Sequence, residues 1–172
     1  MSELVLLTGG VRSGKSRYAQ TIASRAKRKV FYIATAEALD IGMRKRIQAH
    51  RKSRPKDWHT VEEPLSVKKA VLRLPRGEKT VIIDCLTLFI SNLIHKGYSD
   101  AEVLSEIKGV MAALRKNSAL AIIVTNEVGS GIVPDTALGR RFRDLQGMAN
   151  SMAAKEAEKV CLLVSGIPLY IK

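Results

Sequence analysis

The chain has 172 residues, with 29 lysines and arginines against 16 acids, for a formal net charge of +13. Its 46% hydrophobic and 26% charged residues describe an ordinary core-forming chain and exclude a disordered or fibrous one, while apolar runs all much shorter than about 20 residues exclude a membrane-spanning helix. The charge favours polyanionic partners, and the two cysteines leave no room for a disulfide framework or a cysteine metal cluster.

The length suggests one domain over residues 1–172. Cys85 and Cys161 each lie in or beside an apolar run, so buried reduced thiols and a cytoplasmic location are expected. The run Leu4-Val5-Leu6-Leu7 has no basic residues before it and no cleavage site after it, unlike a signal peptide. The cations fall in three patches, at residues 25–29, 44–56 and 140–143. No RNA-recognition motif, zinc knuckle or aromatic-interleaved basic stripe accompanies them, so nucleic acid is not the expected partner.

In chain order, residues 4–8 read as a strand covered on both faces and running into glycine. From Lys15 to about residue 27, Tyr18, Ala19, Ile22, Ala23 and Ala26 recur at helical spacing. Residues 30–34 predict a second strand, and residues 40–52 a helix with a mostly polar surface. Residues 79–84 form a buried strand ending on Asp84, followed by a helix over residues 86–95.

Ser99 and Asp100 offer an N-cap to a helix whose stripe is Val103, Leu104, Ile107, Val110, Met111 and Leu114. Another buried strand follows at residues 120–125. A long amphipathic helix over residues 138–159 turns Leu138, Phe142, Leu145, Ala149, Met152 and Ala153 inward. Residues 160–164 and 169–171 close the chain as strands, separated by residues 165–168. This alternation implies an α/β fold, with a mostly parallel central sheet and helices on both faces. Ligands of such sheets bind beyond the carboxyl ends of the strands.

The segment Gly9-Gly10-Val11-Arg12-Ser13-Gly14-Lys15-Ser16 lies between the first strand and the first helix, where a Walker A loop belongs. Glycines let successive N–H groups converge on phosphate oxygens, and the helix adds the positive end of its dipole. Lys15 can reach the β- and γ-phosphates, and the Ser16 hydroxyl can ligate Mg²⁺. Asp84, after three apolar residues, is the matching metal-side acid, or else merely caps the helix that follows. The fold class expected is therefore a single-domain, RecA-like P-loop NTPase fold. It gives the ligand, a nucleoside triphosphate, and not the reaction.

His50 sits among Arg44, Lys45, Arg46, Arg51, Lys52 and Arg54. A neutral imidazole can attack phosphorus to give a covalent phosphoramidate. An exposed histidine is by itself a weak signal.

Taken together, the chain resembles the bifunctional adenosylcobinamide kinase / adenosylcobinamide-phosphate guanylyltransferase family of cobalamin biosynthesis. The matching stretches are Thr8-Gly-Gly-Val-Arg-Ser-Gly-Lys-Ser16, Tyr32-Ile-Ala-Thr35, Arg46-Ile-x-x-His50 with Arg54-Pro55-x-x-Trp58, and Glu62-Glu63-Pro64. They continue through Asp84-Cys-Leu-Thr87, Ser91-Asn92, Thr125-Asn-Glu-Val-Gly129, Gly131-Ile-Val-Pro134, Leu138-Gly-Arg140, Phe142-Arg-Asp144, Gly147, Asn150 and Ser165-Gly-Ile-Pro168.

The resemblance implies that a nucleoside triphosphate phosphorylates adenosylcobinamide. GTP then gives GMP to His50, and adenosylcobinamide phosphate takes it up to form adenosylcobinamide-GDP. It carries nucleotide contacts to Gly9, Gly10, Val11, Arg12, Ser13, Gly14, Lys15, Ser16, Ala34, Thr35, Ala36, Arg51, Lys52, Ser53, Arg54, Glu62 and Asp84, with Lys15 catalytic and Mg²⁺ on Ser16 and Asp84. Glu62 would face the guanine or the ribose. The family also implies a homotrimer. His59 and His95 have no family counterpart and read as surface residues. Residues 126–134 are either a loop lining the substrate cleft or a plain crossover connection. The alternatives to this function are a simple small-molecule kinase in which His50 only steadies phosphate, and a nucleic-acid-associated ATPase or GTPase.

Overall fold

The computed structural model describes residues 2–38 and 40–172, with the side chain of Arg46 also outside the description. Its strands are β1 (Glu3–Gly9), β2 (Lys29–Ala34), β3 (His59–Glu62), β4 (Lys79–Asp84), β5 (Leu120–Val124), β6 (Lys159–Val164) and β7 (Ile167–Tyr170). The helices are α1 (Lys15–Arg25), α2 (Ile41–Lys52), α3 (Val67–Arg73), α4 (Leu86–His95), α5 (Asp100–Asn117) and α6 (Ala137–Glu156). One sheet has the order β3-β2-β4-β5-β1-β6-β7. Its pairings are all parallel except the hairpin β6–β7.

The two-residue period of a strand sends alternate side chains to opposite faces, and every inner strand is apolar on both. Leu4, Leu6, Ile33, Val81, Ile83, Ala121 and Ile123 join a core shared with α3, α4, α5 and α6. Val5, Leu7, Tyr32, Ile82, Ile122 and Val124 face the other way, against Ala19 and Ala23 of α1. The helix α2 belongs to neither core, and none of its described residues is buried. It starts on Asp40, whose carboxylate accepts from the Met43 N–H at 2.7 Å.

Most expected elements are present, and the departures have local causes. The expectation contains neither β3 nor α3. β3 is four residues at the sheet edge, three of them exposed, so no hydrophobic alternation marks it; α3 is too short to show a period. Leu138 does not point inward: it is 50% exposed in the first turn of α6. The apolar stripe begins one turn later at half-buried Phe142 and deepens at Leu145, Ala149 and Ala153.

The last strand begins at Ile167 rather than residue 169, because Ser165 and Gly166 take positive φ (52° and 86°) and make a two-residue hairpin turn. Pro168 is tolerated there because β7 is an edge strand. The N-cap of α5 is a reciprocal capping box between Ser99 and Glu102. Among the described residues no helix is long and apolar enough to cross a membrane.

Candidate nucleotide-binding site

β1 ends at Gly9, whose φ of 141° begins the loop that Arg12 (58°) and Gly14 (92°) complete. A side chain at Gly9 has no space, since its Cβ would lie 2.4 Å from the carbonyl oxygen of Leu163 on β6. Gly14 starts α1 without a side-chain cap, and Gly14, Lys15, Ser16 and Arg17 line a cleft, so the helix presents its positive end there. The ammonium of buried Lys15 lies back over the loop, donating to the carbonyls of Gly9 (2.9 Å) and Gly10 (2.5 Å) and to Ser13 Oγ (3.3 Å).

The cleft holds about 760 Å³ at the carboxyl ends of the strands, enough for a nucleotide. Arg12, Gly14, Lys15, Ser16, Ala34, Ala36, His50, Ser53, Arg54, Glu62 and Asp84, all nominated from sequence, share its lining. Gly9, Gly10, Val11, Ser13, Thr35, Arg51 and Lys52 do not reach it. Arg12, Lys15, Arg17, Lys45 and Arg54 oppose Glu62 and Asp84 on its walls, a balance that suits a triphosphate.

Asp84 ends β4, which β5 separates from β1. It does not cap the next helix; Cys85 holds the N-cap position and its Sγ accepts from the Leu88 N–H at 3.5 Å. The carboxylate instead accepts a hydrogen bond from the phenol of fully buried Tyr32. Burial first, and then the charge of Asp84, push the Tyr32 phenol well above its ordinary range, so it stays a donor. The same two causes push the Cys85 thiol up to about 12, leaving it an inert packing group.

Thr35 lies behind the cleft wall rather than on it. Its hydroxyl donates to the Cys85 carbonyl at 2.7 Å and accepts from the Cys85 N–H at 2.8 Å, while Asn92 Nδ2 donates to the Thr35 carbonyl at 2.8 Å. These bonds tie the tips of β2 and β4 together beneath Asp84.

His50 is half-buried near the end of α2, where Ser53 Oγ donates to its carbonyl at 2.9 Å. Met43, Ile47 and His50 recur at i, i+4 and i+7 and all line the cleft, so one face of α2 looks onto the phosphate loop. That stripe was readable in the sequence but is masked there by the surrounding cations. Arg51 pairs with Glu62 at 3.4 Å, with both side chains more than half exposed, a contact of little energetic weight. Exposed His59 stacks on Phe31 with centroids 5.1 Å apart, and His95 is exposed near the end of α4.

The structure adds Gln20, Met43, Ile47, Leu88, Val124 and Asn126 to the lining. Of residues 126–134, Asn126 is the one that lines the cleft. Its N–H donates to Thr87 Oγ1 (2.8 Å), its carbonyl accepts from Asn150 Nδ2 (3.0 Å), and it faces the cleft. Residues 127–134 are exposed apart from half-buried Val128 and Pro134, with Ile132 96% exposed.

Among the described residues no three His, Cys, Asp or Glu side chains gather as a protein-only metal cage. One carboxylate, Asp84, and one hydroxyl, Ser16, on the same cleft are a donor set that suits Mg²⁺ held jointly with phosphate oxygens and water.

Comparison with known proteins agrees with this geometry. The chain is 38% identical over 181 residues to the bifunctional adenosylcobalamin biosynthesis proteins CobU of Escherichia coli (strain K12) and Salmonella typhimurium, covering 98% of this chain and 99% of each relative. It is 38% identical over 168 residues to the bifunctional adenosylcobalamin biosynthesis protein CobP of Pseudomonas aeruginosa, covering 97% and 96%. The crystal structure of a KaiC-like protein from Pyrococcus horikoshii OT3 superposes with a TM-score of 0.52 at 13% identity, over 93% of this chain and 70% of that one. That likeness concerns the fold alone, and bears out the expected α/β, RecA-like P-loop architecture. The model of one family, cobinamide kinase / cobinamide phosphate guanyltransferase, matches residues 5–171. With Lys15, Ser16, His50 and Asp84 on one cleft, and with near-complete coverage by that family, the chain is a member of the cobinamide kinase / cobinamide phosphate guanyltransferase family.

Proposed function

We propose that residues 1–172 form one domain that catalyses two successive reactions on a corrinoid. The first moves the γ-phosphoryl of a nucleoside triphosphate to the terminal hydroxyl of adenosylcobinamide. The second moves GMP from GTP to the resulting phosphate and yields adenosylcobinamide-GDP. The observation that carries this reading is that His50 and the phosphate loop line the same cleft.

In the kinase step Lys15 and the α1 N-terminus hold the triphosphate while the corrinoid hydroxyl oxygen attacks the γ-phosphorus. The bond to the β,γ-bridging oxygen breaks and the nucleoside diphosphate leaves. In the transfer step a His50 ring nitrogen attacks the α-phosphorus of GTP, the α,β-bridging P–O bond breaks, and pyrophosphate departs. A phosphate oxygen of adenosylcobinamide phosphate then attacks the same phosphorus, breaking the P–N bond and restoring His50. Arg12, Ser53 and Arg54 orient the phosphates, and Glu62 at the cleft accepts hydrogen bonds from guanine or ribose. Ser16 and Asp84 would hold Mg²⁺, which would neutralise negative charge on the triphosphate.

The corrinoid, GTP or ATP and Mg²⁺ are the proposed ligands, a cytoplasmic location is proposed, and nucleic acid is not among the partners. A homotrimer is proposed as well. The exposed apolar side chains of Ile167, Leu169 and Tyr170 on edge strand β7 support association of copies. Light scattering should return three times the 18.9 kDa chain mass.

Incubation with α-labelled GTP should leave acid-labile, base-stable label on the protein, absent from His50→Ala. If wild type stays unlabelled while γ-labelled nucleotide still phosphorylates adenosylcobinamide, the simple-kinase reading replaces this one. Lys15→Ala should abolish both reactions if one site serves both.

A further inference from the structure

Tyr32 is fully buried, and its phenol has two engagements with the cleft wall. In the β2–β4 register Tyr32 lies opposite Ile82 and Ala34 opposite Asp84, so Tyr32 and Asp84 are diagonal neighbours on one face of the sheet. The Tyr32 hydroxyl spans that diagonal and donates to Asp84 Oδ2. The face of its ring carries the guanidinium of Arg54, whose Cζ lies 3.8 Å from the centroid. Trp58 is a second neighbour of the ring, with centroids 6.4 Å apart at 32°.

The way Arg54 is held is unusual for a half-buried cation. No carboxylate pairs with it among the described residues; it meets the Tyr32 side chain, over the ring and beside the phenol, and a long bond runs from Nη1 to Thr60 Oγ1 at 3.4 Å. Its Nε is buried without an acceptor. A salt bridge would spend the guanidinium charge, whereas an aromatic face holds the plane and leaves the charge and the remaining N–H donors for an anion. Arg54 lines the cleft four residues after His50. A phenylalanine would pack the core equally well, so a hydroxyl there is explained by Asp84, the group that holds it.

We infer that Tyr32 is a positioning residue with two separable ends, its hydroxyl fixing the Asp84 carboxylate and its ring seating Arg54 beside the histidine helix. The inference rests on the proposed function only in placing a nucleotide in this cleft. It sets the metal-side acid and an α-phosphate-side cation in one frame, so the two ends of a triphosphate meet groups at a fixed separation.

The test uses the full chain and a fluorescent GTP analogue, with binding measured in EDTA and along a Mg²⁺ titration. Tyr32→Phe keeps the ring, so metal-free affinity should stay within about twofold of wild type. The Mg²⁺ needed for half of its enhancement should rise about 10- to 100-fold, as when a metal ligand loses its hydrogen-bonded partner. Tyr32→Met removes both ends and should also weaken metal-free binding about 5- to 30-fold. Arg54→Ala should weaken it similarly, with no further loss in the double variant, because both act through one contact.

Urea unfolding of each variant provides the check on structure. Additive losses in the double variant would overturn the inference, as would an unchanged Mg²⁺ response in Tyr32→Phe, or metal-free weakening in Tyr32→Phe equal to that of Tyr32→Met. Should Tyr32→Met not fold, the Tyr32→Phe arm decides alone. A wild type that binds nucleotide but takes no GMP label would sink the guanylyltransferase reading and leave this one standing.

Discussion

Gly9→Ala and Gly10→Ala alter adjacent residues of the same loop and should behave oppositely. At Gly9 the added methyl would lie 2.4 Å from the Leu163 carbonyl oxygen and 3.1 Å from Ser13 Oγ, on a backbone with φ of 141° that L-residues rarely adopt. The obstacle is backbone held in the β1–β6 ladder, where Gly9 pairs with Leu163, so no side chain can rotate away. Backbone strain of about 1–3 kcal/mol, plus the displacement needed to relieve the overlap, gives a loss of about 3 kcal/mol. For a chain of this length that corresponds to a fall of about 6–12 °C in Tm. At Gly10 nothing lies within 4 Å and the backbone is not left-handed, so the change should stay within about 0.5 kcal/mol. Thermal and urea unfolding of both variants, with nucleotide absent, measure the difference. The reasoning is refuted if Gly10→Ala falls as far as Gly9→Ala, or if Gly9→Ala melts with wild type. Lys15 donates to the carbonyls of both Gly9 and Gly10, so the larger loss of nucleotide binding expected for Gly9→Ala comes from the displaced backbone at Gly9.

Three further outcomes follow from the packing and electrostatics. The Tyr18 phenol is held up to about 12 by its hydrogen bond with Tyr170 at 2.9 Å, and secondarily by burial. A raised folded pKa means that this stabilisation is complete below the unfolded value of 10.0 and is lost as pH rises through about 12. The gap between wild-type and Tyr18→Phe urea midpoints should therefore be constant from pH 7 to 9 and shrink above pH 10; a gap independent of pH counts against it. Ser99→Ala breaks the capping box of α5 and should cost about 1 kcal/mol, read from urea midpoints, with a change below about 0.3 kcal/mol contradicting the cap. Phe89→Ala empties a fully buried site among Leu86, Ile90 and Leu93 of α4 and the facing helices. It should cost about 3–5 kcal/mol by the same measurement, and a loss under 1 kcal/mol would mean that the core closes over the gap.

The parts of this protein written plainly in its sequence are those whose physics is local. The glycine-rich loop is contiguous with the strand before it and the helix after it, so Gly9, Gly14, Lys15 and Ser16 announce a candidate phosphate site without any tertiary partner. Asp84 is legible because three apolar residues lead to it, and the cap of α5 because Ser99 and Glu102 are three apart. His50 gained its proposed role only through the family motif around it, since a lone histidine among cations has many explanations.

What only the tertiary structure decided depends on which strands lie side by side. Placing β4 next to β2 brings Tyr32 beneath Asp84 and under Arg54, and it puts Thr35 behind the wall rather than on it. Standing α2 over the cleft turns Met43, Ile47 and His50 toward the phosphate loop, although the helix belongs to neither core. The edge strand β3 and the outward Leu138 were hidden for the same reason. Periodicity reports only that a segment has an apolar face, whereas strand order and helix placement determine which residues that face meets.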